Sequence, residues 1–236
     1  MPVRRSLLAG PVLDVAPKLL GMILRSTTDE GTVDVRVTEV EAYDGPNDPG
    51  SHAYRGQTAR NAVMFGPPGF LYVYFTYGMH YCMNVVVGPD TRPSAVLFRA
   101  GEVIEGVELA RVRRGRPDTQ KVAFNQAVAK AAPGVEPAGV RAGPIAKRPN
   151  GNPDRDIARG PARLCVALGI GRDGNGADLL AKDSPIQLLP GPGFDGEPST
   201  GPRVGLREAA DRQWRFWIPG DPTVSPYRPH VPKRRA

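Results

Sequence analysis

Residues 65–87 read Phe-Gly-Pro-Pro-Gly-Phe-Leu-Tyr-Val-Tyr-Phe-Thr-Tyr-Gly-Met-His-Tyr-Cys-Met-Asn-Val-Val-Val, two runs of strand-forming residues on either side of Tyr77-Gly78. Aromatic and β-branched side chains favour the extended backbone, and the glycine between them admits a tight turn, so the stretch predicts a β-hairpin. Alternation along its first arm puts Leu71, Val73 and Phe75 on one face and Tyr72, Tyr74 and Thr76 on the other. Four of the chain's seven tyrosines fall between 72 and 81. Such a cluster can pack as an aromatic core. Because each buried phenol needs a hydrogen-bond partner, it can equally line a pocket or stack on flat rings.

A second strand is predicted over Thr32–Tyr43, after the turn Asp29-Glu30-Gly31. Val33, Val35 and Val37 share a face, and strict alternation carries that face into Glu39, Glu41 and Tyr43. A buried carboxylate costs several kcal/mol unless it is paired or solvated. Either the strand emerges into water at that end, or the acids have work to do. The polar stretch 44–56 comes next and holds Asn47, Asp48, His52, Tyr54 and Arg55, and loops of this kind are where a scaffold presents chemistry. Gln57-Thr58-Ala59-Arg60-Asn61 adds donors suited to phosphate or carboxylate.

The remaining elements are read more coarsely. A helix is expected over Asp14–Leu24, a short strand over Ala95–Ala100, and helices from Glu102 toward Arg116, over Gln120–Ala131 and over Pro161–Leu168. Strands are expected at Ile186–Leu189, Arg203–Arg207 and Trp214–Ile218. Residues 1–8 read as a loose basic arm, and the stretch from 219 onward as a Pro/Arg-rich tail, mobile at its end. No internal repeat or boundary divides the chain, so one domain over 9–220, between the arm and a tail at 221–236, is the simplest partition of its 236 residues.

A net charge of +7 favours a polyanionic partner. The run Arg111-Val112-Arg113-Arg114-Gly115-Arg116 could neutralise phosphates or simply be a solvated face. Two cysteines in apolar surroundings give no disulfide framework, and three scattered histidines give no zinc spacing. No apolar run is long enough to span a bilayer, and the N-terminus lacks a signal-peptide cleavage pattern, so a cytoplasmic protein is expected.

Thr38–Tyr43, His52, Gln57–Phe65 and Leu71–Asn84, followed by Leu97-Phe98-Arg99-Ala100, Gly160–Leu168 and Arg215-Phe216-Trp217, closely resemble the alkyladenine (3-methyladenine) DNA glycosylase family, the type without a helix-hairpin-helix fold. The resemblance spans roughly residues 9–220. It implies a mixed α/β domain around a curved, largely antiparallel β-sheet, with surrounding helices and a projecting β-hairpin. It further implies a bacterial base-excision repair enzyme, monomeric, that works on duplex DNA containing alkylated or deaminated purines. Such an enzyme flips the base out, cuts its N-glycosidic bond and leaves an abasic site, without metal or cofactor.

By position, Glu41 matches the family's general base and Arg99 a residue that positions the water. Tyr43, His52, Tyr74 and Asn84 match the base pocket, while Tyr77 and Met79 match the side chains at the DNA wedge. The backbone near Val204 and Gly205 is expected beside the active site. Arg60, Arg111, Arg113 and Arg114 are candidates for the DNA backbone. The chemistry suits these roles. Flipping costs a few kcal/mol, least for a badly paired base. An aromatic sandwich attracts a cationic alkylated purine, and a carboxylate can deprotonate the attacking water. Two rival readings are a DNA-stacking protein without catalysis and a glycosidase for small nucleosides. The inward carboxylate beside Tyr43 speaks against the first, and the charge and wedge-like hairpin against the second.

Overall fold

The computed structural model describes residues 2–76, 78–89, 92–115 and 153–231. Tyr77, the helix expected over Gln120–Ala131 and most of the Gly/Pro-rich stretch after it lie outside the described residues. Eight strands among those described form one antiparallel sheet. They are β1 (Ile23–Thr28), β2 (Gly31–Tyr43), β3 (Leu71–Thr76), β4 (His80–Val87), β5 (Ser94–Glu105), β6 (Ile186–Leu189), β7 (Ser199–Gly201) and β8 (Arg215–Trp217). The order is β3-β4-β5-β2-β1-β6, with β8 on the far half of β2 and β7 beside β8. This is the mixed α/β, antiparallel domain that the sequence implied.

The predicted hairpin is β3–β4. Thr76 pairs with His80 across its end, and Gly78 between them takes φ +65°. The alternation holds: Leu71 and Val73 enter the main core, while Tyr72 and Tyr74 pack in a second, smaller cluster with Ala53, Met64, Val86 and Ala95. The main core lies under the other sheet face, closed by α2 (Val12–Val15) and α4 (Pro161–Leu168). Leu164, Cys165, Ala167 and Leu168 supply the buried stripe of α4 at helical spacing.

The centre of the sheet departs from strict alternation. Val37 faces Gly101, Glu39 faces Ala100 and Val40 faces Phe98, which leaves Thr38 extra on β2 and Arg99 extra on β5. These are β-bulges, each of which inserts an unpaired residue and re-aims the side chains beyond it. The core face of β2 therefore runs Val33, Val35, Val37, Val40, Ala42. Glu39, Glu41 and Tyr43 do not continue the valine face, as alternation predicts; they turn to the opposite one.

Other expectations are corrected here. The helix placed at Asp14–Leu24 ends by Leu19 as a 3-10 turn through Pro17, and Ile23 already starts β1, a strand the sequence reading missed. Strand β5 runs on to Glu105, where a helix had been expected. Gly106, at φ +69° and close against the Thr32 carbonyl, breaks the chain into α3 (Val107–Gly115). Arg203–Arg207 is a turn, not a strand. The N-terminal arm is docked from residue 5, as α1 (Arg5–Leu8) buries Leu8 and Arg5 pairs with Asp178. The tail too is docked through Ser225, which is buried. No helix among the described residues is long and apolar enough to cross a membrane.

Gly101 sits where β5 crosses the bulged β2, and an added Cβ would meet Val35 Cγ1 at 2.3 Å and the Arg36 carbonyl oxygen at 2.5 Å. Neither neighbour has room to retreat. Gly101→Ala is expected to lower stability by roughly 2–3 kcal/mol, read from urea unfolding. An unchanged midpoint would mean that the crossing is looser than these distances imply.

Candidate active site

The register lines up the chemistry in one row. Tyr72 on β3, Asn84 on β4, Leu97 on β5, Glu41 on β2 and Arg215 on β8 lie opposite one another across five strands. Residues far apart in sequence are thereby fixed side by side by backbone hydrogen bonds alone.

Glu41 is fully buried. Its Oε1 accepts the Val204 N–H at 2.7 Å and lies 3.2 Å from Arg99 Nη1, and its Oε2 accepts the Tyr43 hydroxyl at 2.8 Å. Glu39 is equally buried and takes Arg99 Nε at 2.8 Å and Arg215 Nε at 2.6 Å. The bulge residue Arg99 thus stands between two carboxylates. Burial pulls the Arg99 pKa down, but the Glu41 and Glu39 charges outweigh it and raise it, so the guanidinium stays charged. Burial, and then the Glu41 charge, hold the Tyr43 phenol well above its usual value, so it remains a donor.

Beside this cluster, Tyr43, Gly50, Ser51, His52, Met64, Tyr72, Tyr74, Asn84, Ala95 and Leu206 enclose a pocket. The His52 and Tyr74 rings meet edge to face at 4.6 Å, and Tyr72 stacks on Tyr74 at 5.6 Å. His52 Nδ1 lies 3.0 Å from the Tyr72 hydroxyl, and Asn84 Nδ2 donates to the Tyr72 carbonyl at 3.2 Å. Arg60 lies 5.7 Å over the Tyr74 ring and donates to the Phe75 carbonyl. Burial, then Arg60, lower the His52 pKa, which keeps the imidazole neutral near pH 7.

The structure adds a residue that sequence reading missed. Arg203, almost wholly buried, donates to both Asp48 oxygens and to the Ala42 carbonyl. Its guanidinium lies between the Tyr43 ring at 4.6 Å and the Trp214 ring at 5.1 Å, and Arg212 covers Trp214 at 4.4 Å. Arg203 therefore fixes both the ring of Tyr43 and the next residue, Val204, whose N–H meets Glu41. The expectation that backbone near Val204 joins the site holds, but nothing local in the sequence singled out Arg203.

Glu41, Tyr43, His52, Tyr74, Asn84 and Arg99 thus come together, with Arg60 at their edge. Met79 stands exposed at the hairpin turn. The α3 arginines are elsewhere. Arg113 is buried and bonded to Thr28, Glu30 and the Ala167 carbonyl, a correction to its reading as a DNA contact. Helical spacing puts it on the same inward side as Ala110. Arg111 pairs with Glu108 and Asp154. The Arg113 anchor at Glu30 is eleven positions before Glu41 along the extended chain, roughly 35 Å at about 3.3 Å per residue.

A buried, hydrogen-bonded carboxylate next to an aromatic pocket suits hydrolysis of a bond to a flat ring. Comparison with known proteins agrees. The sequence pattern of the family described as methylpurine-DNA glycosylase matches residues 6–222. A Streptomyces avermitilis protein is 51% identical over 237 residues, covering 99% of this chain and 95% of its own length. One from Leifsonia xyli is 47% identical, covering 97% and 93%, and one from Nocardia farcinica 44%, covering 90% and 85%. All three carry the provisional name 3-methyladenine DNA glycosylase. The class is that of the DNA N-glycosylases, hydrolases acting on N-glycosyl bonds. Within it, the chain belongs to the methylpurine-DNA glycosylase family.

The lowered His52 pKa has a thermodynamic consequence. The unfolded chain binds this proton more readily than the folded one, so the stability at issue is present in full above about pH 6.5 and is lost as pH falls toward and through the folded value. Between roughly pH 7.5 and 5.5, the urea midpoint of the wild type should fall more steeply than that of His52→Asn. Parallel slopes would remove His52 as the group responsible.

Proposed function

We propose that this protein removes alkylated purines, 3-methyladenine among them, from duplex DNA by hydrolysing the bond from the base to C1′. The observation that carries the reading is the Glu41 carboxylate, fully buried and held by the Val204 N–H, the Tyr43 hydroxyl and Arg99 directly behind the pocket wall. The lesion leaves the stack and enters the pocket, where Tyr43, His52, Tyr74 and Asn84 surround it. The electron-rich faces of Tyr43 and Tyr74 favour a cationic ring over a neutral purine. Tyr77 and Met79, at the turn of the β3–β4 hairpin, enter the minor groove and fill the space left behind.

At the reacting centre, Glu41 takes a proton from water as the water oxygen bonds to C1′, and Arg99 orients both. The C1′–N bond breaks, its electron pair stays with the base, and a cationic 3-methylpurine departs neutral. An abasic sugar remains. Among the described residues the pocket wall contains no lysine, which supports water as the nucleophile and a single activity without strand cleavage. Arg60, exposed beside Tyr74, supplies the nearest phosphate contact, and the protein acts as a monomer.

Glu41→Gln keeps the size of the side chain and its bond from Val204 but cannot accept the proton. It should slow release of 3-methyladenine from methylated duplex at least about 10²-fold while binding that duplex like the wild type. Base release at an undiminished rate would overturn the role of Glu41.

A further inference from the structure

The geometry points to Ser225 as a positioning residue of the active site. It lies beyond residue 222, where the family match ends, and in the segment that the sequence presents as a tail. This inference rests on the reading of Glu41 as the base. Arg99 has three guanidinium nitrogens, and each has its own partner. Nε donates to Glu39 at 2.8 Å, Nη2 donates to the Ser225 hydroxyl at 3.2 Å, and Nη1 faces Glu41 at 3.2 Å. With two nitrogens pinned, the planar fork leaves the third one direction in which to point.

Ser225 is itself held from every side. Its N–H donates to Glu39 Oε2 at 2.6 Å, its hydroxyl donates to Glu39 Oε1 at 2.9 Å, and its carbonyl accepts Arg215 Nη2 at 2.6 Å. The hydroxyl therefore accepts from Arg99 with one lone pair while donating its proton to Glu39, an assignment that satisfies all three groups. The route to it is equally fixed. Asp221 accepts both the N–H and the hydroxyl of Thr223 and pairs with Arg36. Thr223 meets the bulge residue Thr38 at 2.7 Å, and the Val224 carbonyl accepts Arg159 Nε at 2.8 Å. Burial alone would push the Asp221 pKa up, but the Thr223 donors and Arg36 outweigh it and keep the carboxylate charged.

So the 221–225 segment clamps the back of the ion cluster, and its last residue aims Arg99 at Glu41. None of these residues borders the pocket. The effect should therefore fall on the rate of the chemical step and leave affinity for DNA alone.

The test is Ser225→Ala, which deletes the hydroxyl and leaves the backbone bond to Glu39, beside Ser225→Thr, which keeps the hydroxyl. Single-turnover release of 3-methyladenine should slow about tenfold or more in the alanine variant, as expected for a lost hydrogen bond to a charged group. Affinity for a duplex carrying an abasic site should change by less than about twofold, and the threonine variant should recover most of the rate. A crystal structure of Ser225→Ala should show Arg99 Nη1 withdrawn from Glu41. Wild-type rates in the alanine variant would overturn the inference. So would parallel loss of melting temperature, affinity and rate, because the segment would then serve the fold alone. If the wild type itself releases no base from any alkylated duplex, the proposed activity fails, yet the crystal structure still decides: Arg99 unmoved beside Glu41 overturns the positioning role.

Discussion

Arg99 is one cation placed between two fully buried carboxylates, Glu39 and Glu41, and most of the architecture around the site can be understood as what that arrangement requires. A buried carboxylate without a partner costs several kcal/mol, and breaking a buried pair by deleting one member typically costs about 3–5 kcal/mol. Four elements meet the requirement. Strand β5 supplies Arg99, β8 supplies Arg215, the turn after β7 supplies the Val204 N–H, and the chain beyond β8 supplies Ser225. The acids of β2 are kept dry because donors reach them from all of these.

The bulges make this compatible with a continuous core. Were Thr38 paired like an ordinary strand residue, the alternation of β2 would drive Glu39 and Glu41 into the valine-lined interior, and Val40 and Ala42 out of it. Leaving that one residue unpaired resets the alternation, so the same strand contributes valines to one face and buried carboxylates to the other. Arg99, extra on the facing strand, points to the same side as the acids it serves. A second buried pair, Arg203 with Asp48, is built on the same logic but at one remove. It fixes a ring and a backbone amide, and these in turn touch Glu41 and the pocket.

Legibility in the sequence followed the range of the interactions. The β3–β4 hairpin, α4 and β6 were readable because alternation, a proline at the helix start and flanking turns are local signals. The tyrosine parity was readable for the same reason, and it separated pocket from core correctly. Strand β1 was not, because Val15, Leu19, Met22 and Ile23 fit a helical spacing just as well, and only Gly21 marks the break. The face of Glu41 was misread because a bulge leaves no mark in a pattern of alternating residues; it is defined by the pairing of a partner strand. Arg113 looked like part of a basic surface run, and its burial depended on how α3 packs against the β1–β2 turn.

The sequence by itself determined the family and the mixed α/β class, and it named Glu41, Tyr43, His52, Tyr74, Asn84 and Arg99 as site candidates, because those rest on an ordered set of residues read along the chain. What the tertiary structure alone decided is which groups surround Glu41. Its neighbours Arg99, Val204 and, through Arg99, Ser225 lie 58, 163 and 184 positions away in the chain. No periodicity spans such separations. The folded sheet brings them together because a carboxylate removed from water must be met by donors, wherever in the sequence those donors happen to lie.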